Sequence, residues 1–258
     1  MKLHPSRRLF LAGLASSAGT LALAGCDRLV QNTNADALVR NTERLTMASQ
    51  RALLTRQTLA REFTEADLSP VFRANGTQMP DSEDYARLLE REFVDWRLQV
   101  DGLVQRPQSL SLAELKRFPA RTQITRHDCV EGWSAIGKWQ GVPLGLVLDA
   151  VGLKPGARYV VLHCADELEK ALDGSGRYYE SIDLFDAYHP QTILAYGMNG
   201  KELPVSHGAP LRLRVERQLG YKHAKYLMRI EVVDAFGSLF GGKGGFWEDR
   251  GYEWYAGI

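Results

Sequence analysis

The feature that most limits the possible folds of this 258-residue chain is a succession of short strand-like segments without a regular alternation with helices. The segments alternate apolar and polar residues or are rich in β-branched and aromatic side chains, and turn residues separate them. Strands are predicted at residues 93–104, 121–125, 158–164, 178–182, 193–198, 201–203, 211–215 and 226–233. Because no strand–helix–strand unit repeats, we expect an α+β class with a mixed, β-rich sheet architecture and a single main domain.

Helical patterns and turn signals are fewer. Leucines spaced by one or two turns predict a packing helix over residues 41–63, after a polar tether at residues 27–40. Ser111-Leu112-Ala113-Glu114 has the pattern of a capping box, so a short helix is expected to begin there. Pro143 at a first helical position predicts a helix through Val151. Asn199-Gly200 predicts a two-residue hairpin turn between two of the strands.

The first 25 residues have the pattern of an export signal rather than of folded structure. Ser6-Arg7-Arg8-Leu9-Phe10-Leu11 precedes a short run rich in Ala and Gly, which resembles a twin-arginine signal and predicts a periplasmic protein. That route carries folded proteins, typically because a cofactor is inserted before export. The run ends Leu23-Ala24-Gly25-Cys26, which resembles a lipoprotein cleavage box, so we expect a lipid anchor on Cys26 at the inner membrane. Ordinary cleavage near Ala24 is the alternative.

These patterns divide the chain into three parts: the signal at residues 1–25, the tether and packing helix at 26–65, and the main domain at 66–258. The whole chain has 32 basic and 31 acidic residues, and its formal net charge is +1. This near-neutral balance gives no indication of a nucleic acid or another polyanion as a partner.

Cys129 is the leading candidate for chemistry. It follows a predicted strand and comes directly after Arg126, His127 and Asp128. A thiol near basic groups can have a lowered pKa, which favours a thiolate nucleophile or a metal ligand, whereas the simplest alternative is a small buried side chain. The chain contains no CxxC, HExxH or Gly-rich phosphate loop. A disulfide between Cys129 and Cys164 would consume the candidate thiol, so we do not expect one.

Three blocks of sequence resemble the sulfite-oxidase-type molybdopterin domain, a family that includes periplasmic protein-methionine-sulfoxide reductase catalytic subunits. The first block joins Cys129 to WQGVPL at residues 139–144, the second runs from Ala195 to Arg212, and the third is GYKHAKY at residues 220–226. The resemblance implies the sulfite-oxidase-type fold for the main domain. It also implies an oxidoreductase that uses molybdenum bound to a single molybdopterin.

The resemblance assigns roles to individual residues. In the family, the aligned cysteine supplies a thiolate to molybdenum, so Cys129 is the expected catalytic residue and metal ligand, and a soft thiolate suits a metal already held by sulfur. The cofactor-binding residues implied in this way are Asn75, Cys129, Cys164, His207, Arg212, His223, Ala224 and Lys225.

Arg212 and Lys225 suit the anionic phosphate of the cofactor, as a bidentate fork and as a point charge. The alternative for these two is a solvated basic face, and for His207 and His223 it is a structural role. For Cys164 a buried strand cysteine fits equally well. Candidates for the substrate mouth are Glu131, Trp133 and either Tyr178 or Tyr179.

The resemblance also bears on substrate and partners. Ser134 stands five residues after Cys129, where sulfite oxidases carry an oxyanion-binding arginine. We therefore expect oxygen-atom transfer to or from a small oxide-type substrate that is sulfoxide-like rather than sulfite. No CxxCH haem motif is present. A monomer is expected that exchanges electrons with an external partner, either a membrane haem protein or a c-type cytochrome.

Two other functions remain open at this point. One is a non-catalytic periplasmic lipoprotein that keeps the fold as a binding module. The other is a thiol hydrolase that pairs Cys129 with a histidine, although no orienting carboxylate motif accompanies it.

Overall fold

A computed structural model describes residues 33–171 and 176–258 of the chain. The predicted export signal, Cys26 and the first part of the tether lie outside the described residues. Contacts divide the chain into two units, Met1–Ser49 and Gln50–Ile258. Within the described residues, no helix combines the length and apolarity that a membrane span requires.

The helix predicted at residues 41–63 has different bounds in the structure, Thr33–Leu53. The helix therefore includes residues 33–40 of the predicted tether, because a polar composition is also compatible with a solvated helix. The early end has a local cause. The backbone N–H of Thr55 donates to the Thr58 hydroxyl, 3.1 Å away, and such side-chain hydrogen bonds compete with helical ones.

The second unit contains the strands and the remaining helices. The strands are β1 (Arg97–Gly102), β2 (Gln108–Ser111), β3 (Arg121–Asp128), β4 (Ser134–Pro143), β5 (Tyr159–Glu167), β6 (Arg177–Asp183), β7 (Ile193–Met198), β8 (Lys201–Glu202), β9 (Arg212–Arg214) and β10 (Leu227–Val233). The helices are Glu83–Glu90, Leu112–Leu115, Leu144–Val151 and Leu184–Ala187. Short 3-10 turns lie at Glu65–Asp67, Val205–His207, Gly220–Lys222 and Glu248–Arg250.

The strands form two five-stranded sheets. In the first, the order is β2-β1-β10-β5-β6, and in the second it is β3-β4-β7-β8 with β9 also paired to β7. The pair β1–β10 is parallel, with Val100 opposite Ile230, whereas the other ladders are antiparallel. The predicted β-rich α+β class is therefore confirmed.

The main hydrophobic core lies against the first sheet. Strand β1 alternates exposed and buried residues, so that Leu98 and Val100 point into the core, as the period of two for a half-buried strand requires. The helix Leu144–Val151 adds four fully buried side chains to the same core: Leu144, Val147, Leu148 and Val151. A smaller cluster in the second sheet surrounds Trp139.

Strand β4 was missed in the sequence, although it is the longest strand described. Glycine is uncommon in strands, and this one contains Gly137 and Gly141. At Gly141 a side chain would collide with the carbonyl group of Leu194, so the close pairing of β4 with β7 requires glycine there.

The predicted local signals agree closely with the structure. The capping box at Ser111 and Glu114 is present, and it opens the helix Leu112–Leu115. Asn199 and Gly200 both have positive φ angles, 50° and 76°, as a tight hairpin turn requires. Pro143 precedes the helix Leu144–Val151 by one residue rather than beginning it.

Candidate active site

A cavity of about 760 Å³, including its open mouth, lies beside the end of β3. Segments distant in the sequence line it: the loop before the helix Glu83–Glu90, the turn after β3, the end of β5, the loop before β10 and the C-terminal segment. Its most polar or reactive lining residues are Asn75, Thr77, Cys129, Glu131, Asp166, Tyr178, His223 and Lys225.

Cys129 begins a tight turn that follows β3. Its backbone N–H donates to the carbonyl of Trp133 at 2.9 Å, and its own carbonyl accepts from the N–H of Gly132 at 3.0 Å. Gly132 has a φ of 84°, a conformation that favours glycine. The turn thus holds the sulfur in the cavity wall.

The pKa of Cys129 is raised by burial, not lowered as its basic neighbours predicted. Arg126 forms an ion pair with Asp128 at 2.9 Å, which offsets its charge. His127 is buried, and burial together with Arg214 lowers its pKa, so it carries no charge near neutral pH. The thiol is therefore protonated in the cofactor-free protein, and it would release a proton on binding a metal.

Arg212 is fully buried close to the cavity. It donates to the backbone carbonyls of His207 at 3.0 Å and His223 at 3.2 Å, while its Nε has no partner among the described residues. The guanidinium lies over the indole of Trp139, with 5.0 Å between its central carbon and the ring centroid. Burial and Arg214 lower the pKa of Arg212 to about 9.

Lys225 places a second buried cation in the cavity wall. Its ammonium donates to the carbonyls of Asn75 at 2.7 Å and Ser206 at 3.0 Å, and also to that of Thr77. Despite these three acceptors, burial and the nearby Arg212 lower the pKa of Lys225 to about 7. Asp166 offsets part of this effect at Lys225, and an anionic ligand would further stabilise the charged forms of both basic side chains.

The structure groups some of the predicted cofactor-binding residues and separates others. Asn75, Cys129, His223 and Lys225 share the cavity lining, and the carbonyls of His207 and His223 hold Arg212 behind it. Two others lie elsewhere. The side chain of Ala224 is buried in the main core, and Cys164 lines a second cavity that is in contact with the first through Tyr178.

Only some of the residues predicted for the substrate mouth line the cavity. Glu131 and Tyr178 line the cavity. Tyr179 instead stacks on Phe240, with 4.2 Å between the ring centroids. Trp133 packs against His127, at 5.5 Å between ring centroids, and its indole N–H donates to Glu131 at 3.0 Å.

Several lining residues were not predicted, notably Asp166, Gly220, Trp247 and Tyr252. Asp166 follows Cys164 by two residues, and this spacing on a buried strand would have placed a carboxylate on the same face. Burial raises its pKa to about 6. Trp247 and Tyr252 lie five residues apart around a 3-10 turn, which periodicity alone does not reveal.

The donor set of this region fits a molybdopterin cofactor. Buried polar atoms without a partner among the described residues include Asn75 Oδ1, Asp166 Oδ1, Arg212 Nε and His223 Nδ1. Such unpaired groups are costly unless a ligand satisfies them. A pterin offers hydrogen-bond donors and acceptors, its phosphate suits the buried cations, and its metal suits the Cys129 sulfur.

Comparisons with known proteins agree with this fit. The family described as "Oxidoreductase molybdopterin binding domain" matches residues 86–238. YedZ1 of Azospira oryzae, provisionally named a protein-methionine-sulfoxide reductase subunit, is 36% identical over 253 residues, which cover 98% of this chain and 88% of that protein.

Two further proteins are less completely matched. The protein-methionine-sulfoxide reductase catalytic subunit MsrP of Xanthomonas campestris pv. campestris is 38% identical over 62% of this chain and 51% of its own length, so this chain spans about half of that relative. The crystal structure of the sulfane dehydrogenase SoxCD from Paracoccus pantotrophus aligns over 54% of this chain and 38% of its own, with 25% identity and a TM-score of 0.48. The family match and the relative matched over nearly the whole chain lead to one conclusion: the protein belongs to the oxidoreductase molybdopterin-binding domain family, of the sulfite-oxidase type, and is a molybdenum-cofactor-dependent oxidoreductase.

Proposed function

We propose that this protein is the catalytic subunit of a periplasmic sulfoxide reductase that acts on sulfoxides of the methionine type. The observation that carries the proposal is the position of Cys129 in the wall of a cavity that also contains Asn75, His223 and the buried cation Lys225. The names of two relatives, a methionine-sulfoxide reductase subunit and a catalytic subunit, support the same reaction.

Each residue has a distinct part in holding the cofactor, a single molybdopterin with its molybdenum. The Cys129 thiolate is the protein ligand to the metal, Lys225 and Arg212 hold the phosphate, and Asn75 and His223 contact the pterin. The bound group supplies oxygen-atom transfer together with storage of electrons. Overall, a sulfoxide, two protons and two electrons give a thioether and water, and the electrons come from an external haem protein.

The cavity favours a neutral substrate with an apolar body. Val130, Trp247 and Tyr252 are among its lining residues, and their apolar surfaces suit the hydrocarbon part of a sulfoxide. Glu131 also lines the cavity, and a carboxylate there disfavours an anion such as sulfite. Ser134 adds no positive charge, and its hydroxyl donates to Asp128 at 2.5 Å.

The proposed setting follows from the sequence of the first 26 residues. The twin-arginine pattern supports export of the folded, loaded protein, and Cys26 supports a lipid anchor at the inner membrane. Such an anchor would keep a monomeric catalytic subunit close to a membrane haem partner, whereas a c-type cytochrome would reach it by diffusion.

The test uses protein purified from a host that makes molybdopterin. We expect near-stoichiometric molybdenum and dye-driven reduction of methionine sulfoxide, with little oxidation of sulfite. Sulfite oxidation without sulfoxide reduction would overturn the proposed substrate. A folded protein without molybdenum would instead support a non-catalytic binding module.

A further inference from the structure

Two buried histidines next to the cavity, His127 and His223, offer an unused hydrogen-bond donor and an unused hydrogen-bond acceptor. The rings of His127 and His223 are nearly perpendicular, with their centroids 5.0 Å apart. His127 Nε2 and His223 Nδ1 are both buried and have no partner among the described residues. Unsatisfied nitrogens at 1% and 3% residue exposure need an explanation, because burying an unpaired polar group is costly.

Arg214 determines which nitrogen of His127 carries the proton. Arg214 Nη1 lies 3.0 Å from His127 Nδ1, and a guanidinium group can only donate. Nδ1 must therefore accept, so the imidazole is neutral and its proton is on Nε2. An imidazolium would place two donors face to face.

Glu216 holds Arg214 in this orientation. Its two oxygens accept from Arg214 Nε at 2.9 Å and Nη2 at 2.6 Å, and Gln123 donates to one of them at 2.8 Å. The ion pair is fully buried. It fixes the plane of the guanidinium and hence the direction of the bond to His127.

His223 has the complementary polarity. Its Nε2 lies 3.0 Å from the carbonyl oxygen of Gln218, which can only accept, so Nε2 carries the proton. Burial and the charge of Arg214 lower the pKa of His223, so Nδ1 keeps its lone pair. His223 thus presents an acceptor and His127 a donor.

Gly220 connects His127 with the cavity. Gly220 is part of the cavity lining, whereas a side chain there would place its Cβ 2.6 Å from His127 Nε2. Because glycine lacks that carbon, the His127 ring can pack directly against a residue of the cavity lining, with Nε2 on the edge of the ring that faces this residue.

We propose that His127 is a further cofactor-binding residue, whose Nε2–H donates to an acceptor atom of the bound molybdopterin while His223 Nδ1 accepts from a donor of the same group. Arg214 and Glu216 are positioning residues for this contact. A pterin ring carries donors and acceptors side by side, whereas a phosphate offers mainly acceptors, so the pair matches the heterocycle. The inference rests on the proposed placement of the cofactor in this cavity.

The first test measures the protonation and the surroundings of the histidine ring nitrogens by NMR. The full chain, with ¹⁵N-labelled histidines, is purified from hosts with and without molybdopterin synthesis and compared by NMR in its oxidised, diamagnetic state. We expect Nδ1 of His127 to be unprotonated and Nε2 protonated in both samples. Cofactor loading should shift the resonances of His127 Nε2 and His223 Nδ1.

His189 is the internal control. It is also buried, but its Nε2 lies 3.0 Å from the carbonyl of Thr58 and its Nδ1 accepts from the N–H of Gln191 at 3.2 Å. Because both nitrogens already have partners, its resonances should not move. A shift of His223 without one of His127 would overturn the inference and leave the proposed function intact. If neither shifted in molybdenum-containing protein, the proposed placement of the cofactor would fail as well.

A matched pair of variants provides a second readout. In His127→Asn the side-chain oxygen can still accept from Arg214, but no N–H reaches the Nε2 position. We expect about fivefold less molybdenum retained per folded chain after dialysis, because the loss of a hydrogen bond worth about 1 kcal/mol corresponds to that factor. His189→Asn should retain the wild-type amount. Wild-type retention by His127→Asn would overturn the proposal, and failure of this variant to fold would leave the decision to the NMR comparison.

Discussion

The two described cysteines differ in where the backbone places them. Cys129 lies in a turn after a strand and contributes to the wall of the main cavity. Cys164 lies within β5, where burial raises the pKa of its thiol well above the usual value. Because both thiols are protonated in the cofactor-free protein, position rather than acidity makes Cys129 the candidate metal ligand.

Replacing Cys129 with serine should remove the metal. A hydroxyl is a harder and far less acidic ligand than a thiol, so Cys129→Ser should lose turnover and the Mo(V) signal in electron paramagnetic resonance. The comparison variant is Cys164→Ala, which alters the second cavity and should keep its molybdenum. A wild-type Mo(V) signal from Cys129→Ser would remove Cys129 from the metal site.

Lys225 makes the stability of the cofactor-free protein depend on pH in a defined window. Its pKa falls from 10.5 to about 7 on folding, so between these values the unfolded chain binds more protons and stability rises with pH. Below pH 7 the folded protein carries the whole penalty of a buried charge. In urea unfolding, the stability of wild type relative to Lys225→Met should therefore increase from pH 7 towards pH 10.

The matched condition for this measurement is the cofactor-loaded protein. A bound phosphate would favour the charged ammonium and raise the pKa of Lys225, so the slope should become smaller. Parallel stability curves for the cofactor-free wild type and variant would contradict a depressed pKa at this lysine.

At the scale of elements, the C-terminal segment after β10 closes one side of the cavity. Trp247 and Tyr252 stack with 5.3 Å between their ring centroids, and the N–H of Tyr252 donates to the carbonyl of Trp247 at 3.0 Å. Tyr221 packs edge-on against Tyr252 at 5.3 Å. The turn Glu248–Arg250 brings the two rings together, so this short element forms an aromatic surface beside the proposed substrate.

Trp247→Ala should weaken the binding of methionine sulfoxide. An aromatic contact of this kind is worth about 0.5–1.5 kcal/mol, which corresponds to a rise in KM of roughly two- to tenfold with little change in kcat. The measurement is steady-state kinetics with a dye donor. Phe240→Ala serves as the control, because Phe240 is an exposed aromatic residue in the second cavity. Equal KM values for Trp247→Ala and wild type would exclude this surface from substrate binding.

Some elements could be predicted from the sequence and others could not. The Asn199-Gly200 hairpin and the Ser111 capping box were predictable because their signals are local. Strand β4 was not, since the reason for Gly141 is the backbone of a strand more than fifty residues away. At the site, three sequence blocks indicated Cys129, His223 and Lys225. The partners of His127 and the wall formed by Trp247 depend on tertiary contacts and could not be inferred from spacing.

At the scale of the whole molecule, a buried charge cluster joins three distant parts of the chain. Lys222 lies between the cavity residues Tyr221 and His223, and its ammonium contacts Glu180 of β6 at 2.5 Å and Glu248 of the C-terminal segment at 2.6 Å. All three side chains are buried, and burial together with Glu248 raises the pKa of Glu180. The cluster therefore holds the loop at residues 220–225, which lines the cavity, against β6 and the C-terminal segment. Its ion pairs should contribute both to the stability of the fold and to the position of this loop.

Lys222→Met should destabilise the protein by about 3–5 kcal/mol, because it leaves two buried carboxylates without their cation. The measurement is urea unfolding of the cofactor-free chain at neutral pH. Lys170→Met provides the matched control: Lys170 pairs with Asp81 at 3.0 Å, but both side chains are largely exposed, so no measurable change is expected. A similarly small effect at Lys222 would show that the cluster does not support the fold.

The parallel pairing of β1 with β10 has a consequence for biosynthesis. The middle strand of the first sheet is the last of the described strands, and the loop that carries His223 and Lys225 immediately precedes it. A ribosome must therefore translate the chain through β10 before either the sheet or the proposed cofactor pocket can close. Nascent chains that end before β10 should therefore be unable to take up the prosthetic group.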